Sequence, residues 1–368
     1  MIITFTGDTS ITGSFVDKIN KNVEIFSDSI RTTLDNSDYV IANLEGPTTN
    51  HEKYINNGTP LKSPINTISY LKKRNISVFN LANNHILDYG EKGIKDTLEI
   101  LKNNNCLYFG ADLSFKKAIQ PLILKNNNVS VGLIGITKTA PSTIKDAQVF
   151  SSEDFKTLKR EIYTLKQQVD LVIVNFHGGE EYTLFPSPVK RHFLKKVAKL
   201  NTVDCVIAHH SHTLQGYEIC KQTPIFYSLG NFIFDIPNHK KHKNTDRSAL
   251  LHLKCSKKGV DFSFTSYTIA EGEVLDYDSK SFDNTLKELS DFKNYMNKWQ
   301  KEAYKVLFRK QNDKTIPESN GKSLQQQSFL RLFFTKEFYL KTWMILSDRY
   351  MFSLYTNAII YKLKKKLS

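Results

Sequence analysis

SVFNLANNHILDYG, residues 77–90, sets the reading of this chain. Its apolar run, with Val78, Phe79 and Leu81, stops abruptly at Asn83, Asn84 and His85. EKGIKDTLEILKNN then follows over 91–104, with Ile94, Leu98 and Leu101 at three- and four-residue steps. A short apolar strand, a polar loop at its end and an amphipathic helix make one βα step of a layered α/β domain.

The same rhythm runs through the first 235 residues. Strands are expected at 2–7, 39–44, 77–82, 129–136, 171–176, 205–210 and 223–232, and helices at 91–104, 153–167 and 188–200. The alternating runs of 250–269, around Lys257, Lys258 and Gly259, predict an antiparallel hairpin closing one edge. Strand signals stop near Asp276. NTLKELSDFKNYMNKWQKEAYKVLFRK, 284–310, predicts a helix, 311–327 a linker, and 329–367 one or two more helices. The organisation expected is an α/β domain over 1–275 and a basic helical region over 276–368.

With 368 residues, 40% of them hydrophobic, the chain can bury a large core, which excludes disorder as its main state. The formal net charge is +14, and 276–368 alone holds 18 Lys and Arg against 10 Asp and Glu. Such a balance draws anions. Cys106, Cys205, Cys220 and Cys255 are widely spaced without a CxxC pair, which argues against a zinc ribbon or a disulfide framework. No GxxxxGKS or GxxxxGKT, no strand-associated GxGxxG and no GxSxG occurs, so the chemistries those motifs mark are not expected. MIITFTGDTS has neither the basic nor the apolar region of a signal peptide, and no uncharged run approaches bilayer length. A cytoplasmic chain, soluble or peripheral at the inner membrane face, is expected.

The polar residues with chemical capacity share a place, each at or just past the end of an apolar strand. Asp8 follows IITFTG, Glu45 follows IANL, Asn83, Asn84 and His85 follow FNLA, His177 follows VIVNF, and His209, His210 and His212 follow CVIA. Loops beyond the strand ends of an α/β sheet converge, so these residues can form one cluster. Two carboxylates, an amide oxygen and several imidazoles suit a divalent metal such as Mn, Fe or Zn. A lone histidine beside an apolar run is more often a packing residue. The weight here comes from five of the ten histidines falling in three such loops. His51, His192, His239, His242 and His252 lack that setting and read as surface or packing residues.

GD at 7–8, ANLEGP at 42–47, LANNHILDYG at 81–90, FHGGEEY at 176–182, AHHSHTLQ at 208–215 and YSLGNFIFD at 227–235 together resemble one family. It is the bacterial capsule-synthesis family typified by CapA of poly-γ-glutamate synthesis, similar in fold to the calcineurin-like metallophosphoesterases. The resemblance implies a layered αββα sandwich of the metallophosphoesterase type with a C-terminal helical extension. It also implies roles. Asp8 would ligate a first ion, Glu45 would bridge, Asn84 and His177 would hold a second, and His210 and His212 would divide between them, with one or two ions bound. His85 would give a proton to the leaving oxygen, oriented by Asp88. Asn83, His209, Glu180, Glu181, Asn231 and Asp235 would line the substrate side. The cation would supply a nucleophilic water near neutral pH. Ser10 stands where the wider phosphoesterase pattern has a histidine, which weakens one ion site; Ala208 and Ser211 replace the family's usual Gly and Pro without removing a ligand.

The function this implies is a divalent-metal-dependent hydrolase or transferase, phosphoesterase-like, acting on a phosphoester or on an anionic polymer such as poly-γ-glutamate or a capsular polysaccharide. The alternative is a non-catalytic component that binds the polymer within a membrane-associated capsule assembly. The aromatic and basic stretch 326–368 admits two readings, an amphipathic helix at an anionic membrane interface or an apolar stripe packed on the core or on a partner protein. No nucleic-acid-binding signature accompanies the charge.

Overall fold

Apolar residues take alternate sides along each long strand, and that alternation builds the layers. The computed structural model describes residues 1–54, 59–126, 128–138, 148–312 and 349–367. Its strands are β1 (Ile2–Thr9), β2 (Tyr39–Leu44), β3 (Ile76–Asn80), β4 (Leu107–Phe109), β5 (Ala111–Asp112), β6 (Leu122–Lys125), β7 (Ser130–Thr137), β8 (Gln148–Val149), β9 (Leu171–His177), β10 (Cys205–His209), β11 (Leu214–Cys220), β12 (Thr223–Leu229), β13 (Asn231–Ile233), β14 (Arg247–Ser256), β15 (Gly259–Ala270) and β16 (Glu273–Asp276). One sheet has the order β16–β15–β14–β1–β2–β3–β4, with β13 added beside β1; the other has the order β11–β12–β10–β9–β7–β6; β5 and β8 pair apart from both. β1 to β4 run parallel, as do β7, β9, β10 and β12.

On β2, Val40, Ala42 and Leu44 pack outward with Ile30, Leu34, Ile68, Leu71, Ile94 and Leu101, residues of helices Asp28–Asp35, Thr67–Lys72 and Gly90–Asn103. On β9, Val172, Val174 and Phe176 pack outward with Leu158, Ile162, Leu194 and Val197 of helices Phe155–Lys166 and Pro188–Ala198. Between the sheets, Ile3, Phe5, Ile41 and Val78 meet Val131, Leu133, Ile173, Ile207 and Phe226. Each such side chain removed from water contributes about 1.5–3 kcal/mol. The result is the αββα sandwich expected. Its central strands are buried on both faces, which is why they read as unbroken apolar runs.

The inward parity of Ile41, Val78, Ile173 and Ile207 continues into polar residues. Asn43, Asn80, Asn175, His177 and His209 lie two or four positions further along the same strands, and all are buried. Asp8 pairs with Asn43 and Asn43 with Asn80 across the first sheet; Thr137 pairs with His177 and His177 with His209 across the second. Two polar rows therefore converge at the C-terminal ends of the parallel strands.

Two expectations change. The strand foreseen over 223–232 is two strands in different sheets. Gly230, at φ 65, turns the chain out of β12 and into β13 beside β1, where a Cβ on Gly7 would lie 2.2 Å from the Gly230 carbonyl oxygen. The helix foreseen over 284–310 is interrupted: helices Ser279–Leu289 and Tyr295–Asn312 are separated at 290–294, with Asn294 in the left-handed region at φ 53. Both pack on the body with helix Arg349–Leu367 through Phe282, Leu286, Leu289, Trp299, Ala303, Leu354 and Ala358 against Phe185, Leu214 and Ala249. The linker expected at 311–327 and the stretch 326–348 of the aromatic tail fall, apart from 311–312, outside the described residues. No helix among the described residues is long and apolar enough to cross a membrane.

Candidate metal centre

Asp8, at the end of β1, is fully buried. Its Oδ1 accepts from Asn43 Nδ2 at 2.9 Å and its Oδ2 from the backbone N–H of His210 at 3.2 Å. His209 Nδ1 and His212 Nδ1 each lie 3.4 Å from one of its oxygens. Glu45, just past β2, is 0% exposed, and neither of its carboxylate oxygens has a hydrogen-bond partner. Oε1 is instead surrounded at 3.7–3.9 Å by His177 Nε2, His85 Nε2 and His212 Nε2. Those separations are too long for hydrogen bonds. They resemble the spacing of atoms that share one cation, about 3.4 Å for two tetrahedral ligands at 2.0–2.1 Å.

Among the described residues, two groups of ligand atoms meet the distance requirement for a metal ion, Glu45 with His177 and His210, and Asp8 with Glu45 and His212. Glu45 belongs to both. Asn84, whose Oδ1 is buried without a partner, lines a cleft of about 210 Å³ together with His177 and His210. Ser10 Oγ is likewise buried and unpartnered. A desolvated polar atom without a partner costs about 1–3 kcal/mol, and a carboxylate more. Such a donor set fits a divalent cation better than it fits any packing role.

The layer behind orients these atoms. Asn80 Nδ2 donates to Asn43 Oδ1 at 2.8 Å, which turns the Asn43 amide so that its Nδ2 faces Asp8. Asn231 Nδ2 donates to the Thr245 carbonyl at 3.0 Å, leaving Oδ1 to accept from His212 Nδ1 at 3.0 Å. That places the proton on Nδ1 and the lone pair of Nε2 toward Glu45. The loop carrying the histidines is in left-handed backbone at two non-glycine residues, His210 (φ 90) and His212 (φ 56), a strained arrangement that clusters at functional sites.

Residues 2–236 match the family described as bacterial capsule synthesis protein PGA_cap. The chain belongs to that family. Capsule biosynthesis protein CapA of Bacillus anthracis is 37% identical over 215 residues, 55% of this chain and 52% of that protein, so the chain spans about half the length of that relative. PGA biosynthesis protein CapA of Bacillus subtilis is 30% identical over 315 residues, 83% of this chain and 81% of its own. Among solved structures the chain is similar to a phosphatase from Mycoplasma pneumoniae, with a TM-score of 0.47 and 17% identity over 73% of this chain and 93% of that one. It is also similar to the calcineurin-like phosphoesterase YfkN of Bacillus subtilis, with a TM-score of 0.42 and 14% identity over 78% of this chain and 98% of that one.

Electrostatics in this PGA_cap site follow from burial. Burial raises the Asp8 carboxyl, but the His209, His212 and His210 imidazoles outweigh it and hold Asp8 below the usual range. Glu45 is pushed well above its ordinary value, by burial first and then by the charges of Asp8, Glu181 and Asp88. Burial, with the neighbouring imidazoles, holds His177 well below 6.5, and burial pushes His210 down to about 3 against the pull of Glu181. Neutral imidazoles are the form that ligates metal.

The remaining expected residues divide. His85 is at the cluster, its Nδ1 2.7 Å from Asp88 Oδ2, and Asp88 also accepts from the Leu61 N–H at 2.9 Å. Glu181 is half-buried and close enough for its charge to act on Glu45 and His210. Asn83 does not line a substrate surface: Oδ1 accepts from Gly46 and His85 N–H groups while Nδ2 donates to the Leu44 and Leu81 carbonyls, so its amide is spent on tying two loops together. His209 lies behind Asp8, buried by its inward parity on β10. Glu180 is buried too, in the field of Lys190, and Asn231 stands behind His212. Asp235 is bound to Ser14 and to Lys240 at the wall of a larger cleft.

His239 and His242, read from sequence as surface or packing residues, border the PGA_cap site. His239 is buried with its ring 4.3 Å from that of His212, and His242 stacks on Tyr182 at 3.7 Å. Their loop has no periodicity. The available signal was two histidines three apart, just downstream of YSLGNFIFD. Lys190, missed as well, is a fully buried lysine whose Nζ donates to the His209 carbonyl at 3.1 Å.

Proposed function

We propose that this chain is a divalent-metal-dependent hydrolase or transferase of phosphoesterase type, acting on an anionic capsule polymer or a phosphoester in its synthesis or modification. The observation that carries the reading is Glu45, a buried carboxylate with both oxygens unpartnered, shared by two groups of ligand atoms. Glu45, His177, His210 and Asn84 would hold one ion, and Glu45, Asp8 and His212 another. A divalent cation held there supplies Lewis acidity toward a phosphoryl or carbonyl oxygen and a water nucleophile at neutral pH.

The chain's own side chains do the rest. Asn43 and Asn231 fix the aim of Asp8 and His212 through the bonds described above. Asp88 accepts from His85 Nδ1, which turns the other ring nitrogen toward the cluster as proton donor to a leaving oxygen. Glu181, at the rim, restricts which anions approach.

Elemental analysis of the purified chain for Mn, Fe and Zn, followed by turnover of phosphodiester and polymer panels, tests this. Near-stoichiometric metal is expected. Turnover should be lost in His177→Ala, and should fall about 10²-fold or more in His85→Ala with metal content unchanged. A metal-free chain, or turnover that survives His177→Ala, contradicts the reading. Polymer binding without turnover on any substrate favours a non-catalytic assembly role.

A further inference from the structure

Asn231 reaches two histidines, and the Thr245 carbonyl fixes how. A carbonyl only accepts, so the atom 3.0 Å from it is the Asn231 amide nitrogen, which also lies 3.2 Å from His239 Nδ1. His239 Nδ1 is therefore the acceptor of that bond, and the ring carries its proton on Nε2. The Asn231 amide oxygen accepts from His212 Nδ1, the opposite arrangement. One asparagine thus gives two rings, 4.3 Å apart, opposite tautomers. His212 turns a lone pair toward Glu45, and His239 keeps an N–H.

That Nε2 has no hydrogen-bond partner, although His239 is only 3% exposed. A buried donor left unpaired is costly, and it points to an acceptor that the chain itself does not supply. His239, its ring 4.6 Å from that of Phe234, lines a cleft of about 710 Å³, a size at which ligand sites occur. The same walls carry Lys240, Lys241, Lys243 and Arg247 against Asp235, Asp246 and Glu271. Lys240 is 2.8 Å from Asp235, and Arg247 Nε is 3.9 Å from Asp246. Lys241 and Lys243 are exposed, and neither side chain has a hydrogen bond or ion pair among the described residues. We propose that this cleft binds an oxyanion of the substrate, phosphoryl or carboxylate, through the His239 Nε2–H, with Lys241 and Lys243 supplying the charge that draws it. The proposal rests on the metal-centre reading for the reaction next to it. Hydrogen bonds to an ionised acceptor are the strong ones. The subsite suits a substrate that carries a second anionic group beside the one at the metal centre.

Calorimetric titration of inorganic phosphate into the metal-free full chain tests this, since no bound cation then competes for the anion. A glutamate oligomer as a second probe separates a carboxylate from a phosphoryl ligand. His239→Phe keeps an aromatic ring and removes the donor, and should weaken the anion about tenfold. Lys241→Met combined with Lys243→Met changes only exposed positions, and should weaken it about threefold with a shallower dependence on salt. Nitrogen NMR of histidine-labelled chain, with the signal assigned by its loss in His239→Gln, should find the His239 proton on Nε2. Manganese uptake should match wild type in every variant, because Thr245 still turns Asn231 toward His212. The lysine and NMR arms decide the matter even where His239→Phe does not fold. Wild-type affinity in His239→Phe, a wild-type chain that binds neither anion, or a proton on Nδ1 overturns the assignment; wild-type affinity in the double lysine variant overturns the role of the lysines. If the wild-type chain takes up no manganese while His239→Phe still loses the anion, the metal reading fails and this one stands.

Discussion

Glu45 Oε1 lies 3.7 Å from His177 Nε2, and no hydrogen bond reaches either oxygen of that carboxylate. Without a cation the carboxyl is costly, and burial with the charges of Asp8, Glu181 and Asp88 drives its pKa well above 4.5. The folded metal-free protein thus keeps a proton that the unfolded chain releases above about pH 4.5. Stability falls as pH rises through that window, by about 1.4 kcal/mol per pH unit. Glu45→Gln removes the slope. In denaturant melts of metal-free protein the variant should be more stable than wild type at pH 7, with the gap closing near pH 4.5, and it should take up no manganese. Equal stability at both pH values would falsify the account.

Lys190 is the buried counterpart. Its Nζ holds the His209 carbonyl, at the start of the loop with positive φ at His210 and His212. Burial lowers the Lys190 ammonium to about 8, opposed by the charges of Glu180 and Asp8, and burial raises Glu180 to about 7. Lys190→Met keeps the bulk and removes both donor and charge. It should cost about 3 kcal/mol in urea unfolding at pH 7.5. Adding Glu180→Gln should recover part of that, because the stranded charge goes with it; a double variant no better than the single would show that the two do not interact.

Tyr295 ties the C-terminal helices to the loop that carries Glu181 and Tyr182. Its hydroxyl donates to the Pro186 carbonyl at 2.6 Å in a buried setting, and Lys298 lies 5.5 Å from the Phe185 ring centroid. Tyr295→Phe should cost about 1 kcal/mol and speed hydrogen exchange at 182–187. Exchange in β9 and β10, which do not touch this hydroxyl, should stay as in wild type.

The parts of this molecule readable from sequence were those set by burial on both faces of a strand. Val40–Leu44 and Leu171–Phe176 announced themselves as apolar runs, and the polar residues ending them, Asp8, Glu45, His177 and His210, do come together. Side-chain bookkeeping beyond that depends on partners far away in the chain. Asn83 looked available until four backbone groups were found to use its amide. His209, expected on the substrate side, shares the inward parity of Ile207 on β10, and that parity is legible only once Ile207 is seen to pack between the two sheets. His239 and His242 reach the centre because Gly230 switches the chain between sheets, an event no local pattern encodes.

His239 gives a test of that placement. Its Nδ1 lies 3.2 Å from Asn231 Nδ2, and its pKa is pushed down to about 2, by burial first and then by His212 and His242. Here the sign is opposite to that of Glu45. Below its ordinary value of 6.5 the unfolded chain takes up a proton that folded His239 refuses, so its stabilising effect is complete above pH 6.5 and is lost as pH falls. At about 1.4 kcal/mol per pH unit, the loss at pH 5 is about 2 kcal/mol. His239→Gln retains a polar side chain but cannot titrate. Between pH 7 and pH 5 the metal-free variant should therefore lose about 2 kcal/mol less stability than wild type in chemical denaturation. Parallel losses would mean that His239 accepts its proton in the folded protein, and that it does not sit closed in beside His212.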